Sequence, residues 1–265
     1  MPNHRPLPQD VSEILSILIE KIQQTAPELL NGLYLYGSLA LGAYQSEKSD
    51  IDFVVTFNHP CTEDDFKILQ QIHLEIRIGY PQATLDGCYI QADDLLKSPH
   101  EIVSYPYFDG ESLQMGQHDL NLVTWWLLQH HGITVFGDED TLRYINVKWG
   151  ELEHKMHQNL NSYWHDWATH PDKFAMLKHD GAIEWAVLGV LRLFYSFREK
   201  NIVSKVDAGK YALKHIASKW HPLIDDALRI RDGQSSIYED KVHRQQEAQM
   251  FLQTIIDESN DTLAT

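Results

Sequence analysis

The sequence predicts an α/β (α+β) protein in which an N-terminal domain with a mixed sheet flanked by helices is followed by an α-helical bundle domain. Helical and strand-like hydrophobic patterns alternate through the first part of the chain, which is typical of an α/β domain. Beyond Trp149 the strand patterns disappear and long helical patterns replace them. The chain has 265 residues, enough for two modest domains, and we predict them at residues 1–155 and 156–265.

The first domain begins with a predicted helix and two predicted strands. Apolar residues at helical spacing predict a helix that begins near Asp10, with Asp10 or Ser12 as its N-cap. The apolar run Leu33–Tyr36 predicts a short strand that breaks at Gly37. The segment Ser49–Phe57 is rich in β-branched and aromatic residues and predicts a second strand.

The remaining elements follow the same two patterns. Helical spacing over Glu63–Ile76 predicts a helix, and the segment Ala83–Ile90 predicts the next strand. Asp119–His131 has the pattern of a helix, and Ile133–Gly137 that of a short strand or turn. In the second domain, Ala182–Phe197 is apolar over nearly its whole circumference, which predicts a buried helix.

The charge of the chain limits its partners. It has 22 Lys and Arg residues against 38 Asp and Glu residues, a formal net charge of −16. Such a field repels nucleic acid phosphates and anionic membranes and attracts cations, so we expect no nucleic acid or membrane partner. The first residues have no apolar signal core, and the two cysteines cannot form a disulfide framework. We therefore expect a cytoplasmic monomer.

One segment of the first domain carries recognisable chemistry. Gly37-Ser38, at a predicted strand-to-helix turn, offers backbone N–H groups and a hydroxyl to a phosphate. Asp50 and Asp52 point to one side of the next strand, because side chains alternate along a strand. Mg²⁺ binds proteins through one or two carboxylates together with substrate phosphates. Either motif alone is usually a solvated turn, but the combination predicts a metal–phosphate site.

These residues resemble a known family. Gly37-Ser38, followed after 11 residues by Asp50-x-Asp52, resembles the nucleotidyltransferase pattern of the polymerase-β superfamily. Over most of the chain, the layout resembles the bacterial aminoglycoside adenylyltransferases that modify streptomycin and spectinomycin. The resemblance implies that Asp50 and Asp52 hold Mg²⁺ and position ATP, and that Ser49 helps to anchor the same loop. It also implies that AMP passes to an antibiotic hydroxyl while pyrophosphate leaves.

A third carboxylate lies on the neighbouring predicted strand. Asp86 stands where the family has a glutamate, and the resemblance implies that Asp86 is the base that accepts the hydroxyl proton. Because Asp is one methylene shorter than Glu, a second role is open for Asp86, that of a third metal ligand. An aspartate at a strand edge with no catalytic role is the structural alternative.

The second domain contains two cations that match the family pattern. The family has Arg-Ile-Trp-Tyr-Ser and later Lys-Asp-Val-Ala; this chain has RLFYS beginning at Arg192 and KVDAG beginning at Lys205. The match implies that Arg192 and Lys205 bind the ATP phosphates, a role that suits cations in phosphoryl transfer. The alternative for Arg192 in an apolar helix is an internal carboxylate partner, Glu184 or Glu199.

Other positions depart from the family. Near Arg231 the family has a tyrosine that packs on adenine. The acidic residue that it uses for streptomycin aligns with Ala182, and the tryptophan of its streptomycin pocket aligns near Ser112. These departures favour spectinomycin over streptomycin. Asp180 and Glu184 are the candidates for recognising an amine of a cationic antibiotic.

Two other functions are compatible with the same motifs. The first is that of a nucleotidyltransferase that adenylylates a protein or another small molecule. The second is that of a non-catalytic nucleotide-binding relative. The presence of all three acidic residues, Asp50, Asp52 and Asp86, favours an enzyme over the non-catalytic relative.

Overall fold

The computed structural model describes residues 6–46, 48–118 and 120–264. The chain divides into two compact units, Met1–Val147 and Lys148–Thr265. The predicted domain boundary, between residues 155 and 156, falls inside the helix Trp149–Asn159, with which the second unit begins. The fold class is confirmed: a mixed sheet with flanking helices, followed by a helical unit.

The described part of the first unit has one six-stranded mixed sheet in the order β5-β4-β3-β2-β1-β6. Neighbouring strands are antiparallel except β2 and β3, which are parallel. The strands are β1 (Leu30–Leu35), β2 (Ile51–Phe57), β3 (Leu85–Gln91), β4 (Tyr105–Asp109), β5 (Leu113–Gly116) and β6 (Ile133–Phe136). The helices of this unit are α1 (Gln9–Thr25), α2 (Gly37–Ala40), α3 (Glu63–Gly79) and α4 (Leu122–His131).

Two predicted helix starts differ from the structure. The N-cap of α1 is Pro8, without a side-chain cap, so the prediction of Asp10 or Ser12 as the cap was wrong. Both residues lie in the first turn instead, where the negative charge of Asp10 is favourable near the helix N-terminus. Helix α4 begins after Asn121, which caps it; the predicted start, Asp119, lies outside the described residues.

Alternation along β2 divides the sheet into two chemically different faces. Ile51, Phe53 and Val55 are fully buried and belong to the core that α1 and α3 form on one face. Asp52 lies between them in sequence and therefore points to the opposite face. The apolar core thus fixes the register of β2, because a one-residue slip would bury the carboxylate and expose the phenylalanine.

Strands β4 and β5 were not among the sequence predictions. They are short, and Pro106 and Gly116 weaken their strand pattern. In the structure β4 pairs with β3 and places Asp109 beside Asp86 in register.

The described part of the second unit is helical. Its helices are α5 (Trp149–Asn159), α6 (His165–Thr169), α7 (Pro171–Met176), α8 (Asp180–Glu199), α9 (Lys205–His215), α10 (His221–Arg231) and α11 (Lys241–Ala264), with a π-helical turn at Leu160–Trp164. Helix α8 packs against α9, α10 and α11, which confirms the buried helix at Ala182–Phe197. Its burial is incomplete, because the Trp185 side chain is 46% exposed. Over the described residues, every helix is too short or too polar to cross a lipid bilayer.

Candidate active site

The turn between β1 and α2 brings a glycine against a carboxylate. Gly37 is the first residue of α2 and has a φ of +60°, a left-handed conformation that glycine adopts without a steric cost. A Cβ at this position would overlap the Asp52 carboxylate. Beside it, the Tyr36 N–H donates to the Asp52 carbonyl oxygen at 3.1 Å. Gly37 therefore allows the Asp52 side chain to lie directly against this turn.

Asp52 and Asp86 are neighbours across the parallel pair of strands. The two residues are paired in the register of β2 and β3, so their side chains leave the same face of the sheet at the same level. Asp50 precedes β2 and is exposed, and alternation places it on the face of Asp52. The fold thus brings Asp52 and Asp86 to one face of the sheet, opposite α1 and α3, and Asp50 lies two positions before Asp52, just outside β2.

The two serines of the predicted site have different surroundings. The Ser49 side chain is buried, and its Oγ accepts a hydrogen bond from the Gln45 N–H at 3.1 Å. This bond shapes the loop that leads into Asp50. Ser38 lies in α2, and its buried Oγ has no hydrogen-bond partner among the described residues. A donor without an internal partner fits a turn that binds an anion.

Asp86 has a partner that the sequence did not indicate. Its Oδ1 accepts a hydrogen bond from Nε2 of His118 at 3.1 Å, and both side chains are partly exposed. The His118 backbone is fixed in turn by Tyr105, whose hydroxyl donates to the His118 carbonyl and accepts from its N–H. The ring stacks on Tyr107 with a centroid separation of 4.6 Å. His118 can therefore orient the Asp86 carboxylate.

The donor set suits a metal that substrate oxygens help to hold. Within residues 6–46, 48–118 and 120–264, no group of three or more His, Cys, Asp or Glu residues lies close enough together to hold a metal ion by itself. Mg²⁺ needs no such cage, because one or two carboxylates and nucleotide phosphates suffice. The Asp52 carboxylate against the Gly37 turn, with Asp50 two positions earlier in the chain, fits that requirement.

In the second unit, the two predicted phosphate-binding cations lie on helices that pack together. Arg192 is on α8, and Lys205 is the first residue of α9, after the N-cap Ser204. Nζ of Lys205 lies 3.0 Å from Oε1 of Glu184 and 4.6 Å from the ring centroid of Trp185. Burial lowers the pKa of Lys205, the Glu184 carboxylate opposes this, and the nearby guanidinium groups lower the pKa further.

The two candidate substrate carboxylates are both ion-paired. Oε1 of Glu184 contacts Lys205 and also Nη1 of Arg231, at 3.4 Å. Oδ1 of Asp180 accepts a hydrogen bond from Nη2 of the fully buried Arg244 at 2.8 Å, which holds the pKa of Asp180 below its usual value. Glu199, one of the two alternative partners predicted for Arg192, accepts a hydrogen bond from the Tyr211 hydroxyl at 2.6 Å.

Comparisons with known proteins identify a segment of each unit. Residues 15–107 match the family model described as nucleotidyltransferase domain, and this segment contains the site from Gly37 to Asp86. Residues 167–258 match the aminoglycoside adenylyltransferase C-terminal domain, and this segment contains Arg192 and Lys205. The chain belongs to the aminoglycoside adenylyltransferases, within the nucleotidyltransferase superfamily. It is an enzyme of the nucleotidyltransferase class.

A solved structure shows how much of an adenylyltransferase fold the chain contains. The crystal structure of spectinomycin adenyltransferase AAD(9) from Enterococcus faecialis with ATP and spectinomycin is similar, with a TM-score of 0.70. The similarity covers 94% of this chain and 98% of that one, at 14% sequence identity. At this identity the likeness supports the fold and not the substrate. No curated protein matches the chain in the sequence comparison.

Proposed function

We propose that this aminoglycoside adenylyltransferase is a Mg²⁺- and ATP-dependent O-adenylyltransferase. It would transfer AMP to a hydroxyl of an aminoglycoside or aminocyclitol antibiotic, with spectinomycin favoured over streptomycin. The observation that carries the proposal is the Asp52 carboxylate lying against the Gly37 turn, with Asp86 at the same level of the next strand. This arrangement combines a carboxylate for a cation, a second carboxylate for a proton and backbone N–H groups for a phosphate.

The carboxylates and the turn have separate roles in this proposal. Asp50 and Asp52 hold Mg²⁺, which when bound neutralises the charge that develops on the triphosphate. Gly37 and Ser38 bind a phosphate oxygen at the start of α2, and Ser49 keeps the loop before β2 in place through its bond to Gln45. Arg192 and Lys205 bind phosphate oxygens as cations.

The chemical step transfers one adenylyl group. The acceptor hydroxyl oxygen forms a bond to the α-phosphorus of ATP as the bond from that phosphorus to the pyrophosphate oxygen breaks. The electron pair of the broken bond leaves with pyrophosphate, and the hydroxyl proton passes to the Asp86 carboxylate. His118, which donates to Oδ1 of Asp86, keeps that carboxylate oriented toward the proton. We assign Asp86 as the base rather than a metal ligand because Asp50 and Asp52 supply the one or two carboxylates that Mg²⁺ needs, and because His118 already holds Oδ1 of Asp86.

The acceptor is assigned from charge and from the similar structure. The net charge of −16 favours a cationic small molecule, and the AAD(9) structure was solved with ATP and spectinomycin. Of the two carboxylates predicted to bind an antibiotic amine, we retain Asp180, which is 41% exposed. Asp180 also contacts Arg244 and Lys241, but Glu184 is only 16% exposed and is held by Lys205 and Arg231. Because ATP is the proposed co-substrate, we place the reaction in the cytoplasm.

The proposal is tested by pyrophosphate release from ATP and Mg²⁺ with spectinomycin or streptomycin as acceptor. We expect release with spectinomycin, and a loss of about a hundredfold or more in Asp52→Asn, because the charge that holds the cation is removed. Asp64→Asn is the matched control, since Asp64 is exposed on α3 and should leave the rate unchanged. Failure with both antibiotics, or full activity in Asp52→Asn, would contradict the proposal.

A further inference from the structure

Three helices of the second unit bring one carboxylate and two cations together. Glu184 lies near the start of α8, Lys205 is the first residue of α9, and Arg231 is the last residue of α10. Nζ of Lys205 and Nη1 of Arg231 lie 3.0 and 3.4 Å from the same oxygen, Oε1 of Glu184. The three side chains are only 11 to 19% exposed, so the pairing is largely shielded from water.

The surroundings of this cluster favour a negatively charged ligand. The Arg192 guanidinium, on the same helix as Glu184, is close enough to lower the pKa of Lys205. With Arg192 included, these four side chains carry three positive charges and one negative charge. Lys205 also lies over the Trp185 ring, which directs its ammonium group. The arrangement holds two cations at a single carboxylate oxygen, with a third positive charge nearby.

A polyphosphate can replace that carboxylate. Arg and Lys side chains bind phosphate oxygens as strongly as carboxylate oxygens, and a triphosphate offers several charged oxygens. A buried cation that loses its partner is costly, so Glu184 stabilises Lys205 and Arg231 when no nucleotide is bound. The carboxylate and a phosphate repel each other, so both cannot occupy the same two cations at full strength.

We infer that Lys205 and Arg231 form one polyphosphate-binding pair, and that Glu184 is the internal counter-ion that a nucleoside triphosphate displaces. The inference rests on the proposed function and adds two roles to it. Arg231, where the family has an adenine-packing tyrosine, binds phosphate rather than base. Glu184 is a positioning residue that holds the two cations in place, and it does not bind the antibiotic amine.

The test is a calorimetric titration of the full chain with inorganic tripolyphosphate and with ATP, without divalent cations. Glu184→Gln keeps the shape of the side chain and removes its charge, so we expect tripolyphosphate to bind at least about fivefold more tightly, because one unit charge at about 4 Å has about that effect in bulk water and a larger one in a shielded cluster. Arg231→Gln should weaken both ligands by about tenfold, since a charge-assisted bond is lost. The matched controls are Glu239→Gln and Arg229→Gln, which remove the same charges at exposed positions.

Each outcome decides one part of the inference. Unchanged or weaker tripolyphosphate binding in Glu184→Gln would overturn the counter-ion role; tighter binding cannot arise from misfolding. If Arg231→Gln weakens ATP but not tripolyphosphate, Arg231 contacts the base, and the phosphate assignment is wrong. Recovery of tripolyphosphate affinity in Arg231→Lys would support the assignment. Pyrophosphate release by the wild type, measured in parallel, tests the proposed function separately from these binding results.

Discussion

Gly37 is the residue on which the geometry of the proposed metal site depends most directly. Its φ of +60° places it in the left-handed region, and a Cβ there would overlap the Asp52 carboxylate. The substitution Gly37→Ala therefore changes two things at once. It strains the backbone of the turn, and it pushes away the carboxylate that we propose as a Mg²⁺ ligand.

The two effects differ in size. The left-handed backbone costs an alanine about 1–2 kcal/mol, which lowers the free energy of unfolding. Non-bonded heavy atoms pack at about 3.5 Å, so relief of the overlap moves the Asp52 carboxylate by roughly 1 Å or more. A misplacement of about 1 Å in a catalytic group can reduce the rate about a hundredfold. We therefore expect a modest loss of stability and a large loss of activity.

The assay pairs thermal unfolding with pyrophosphate release, and a second glycine serves as the control. Gly110 lies in the turn between β4 and β5, with a φ of +88°, and a Cβ there would lie 2.9 Å from Cγ2 of Thr84. Gly110→Ala should lower stability by a similar amount and keep most of the activity. If Gly37→Ala keeps the activity of Gly110→Ala, the Asp52 position does not control the reaction, and the reasoning fails.

Three further predictions concern buried or paired groups. Burial lowers the pKa of His73 to about 3, so the unfolded chain binds a proton near pH 6.5 that the folded chain does not. The free energy of unfolding should fall by about 2 kcal/mol between pH 6.5 and 5. In chemical denaturation, His73→Phe should reduce this dependence of stability on pH, and an unchanged dependence would refute the role of His73. Arg244→Met leaves the fully buried Asp226 without its 3.2 Å ion-pair partner and should cost about 3–5 kcal/mol in thermal unfolding. Adding Asp226→Asn, which removes the charge and keeps an acceptor for the Ile237 N–H, should recover much of that loss; no recovery would mean that the charge is not the cause. His118→Ala removes the donor to Asp86 and should lower kcat about tenfold with an unchanged KM for ATP, whereas a change confined to KM would place His118 in binding.

The sequence predicted the elements whose apolar patterns are long and regular. The faces of α1, β2 and α3 are fixed by buried residues at periods of 3.6 or 2, which sequence patterns reveal. Strands β4 and β5 have five and four residues, and Pro106 and Gly116 weaken their alternation, so no local pattern revealed them although they pair with each other across a short turn. The prediction of the α1 N-cap was wrong because the residue before the helix is Pro8, which has no side chain that can cap it.

The candidate site also contains residues that sequence spacing indicates and contacts that only the tertiary structure shows. Gly37, Asp50 and Asp52 are close in sequence, so their motif could be recognised before the fold was known. The pairing of Asp86 with His118 depends on the path of the chain after β5, across 32 positions of sequence. The contacts of Glu184 with Lys205 and Arg231 depend on how three helices pack. Such contacts are properties of the tertiary structure, and residue spacing does not indicate them.

The central claim is the transfer of AMP to an aminocyclitol hydroxyl. The direct measurement is mass spectrometry of spectinomycin after incubation with the protein, ATP and Mg²⁺, with pyrophosphate quantified in the same reaction. We predict a spectinomycin product heavier by one adenylyl group, with one pyrophosphate formed for each product molecule. Unmodified spectinomycin, together with unmodified streptomycin under the same conditions, would contradict the claim.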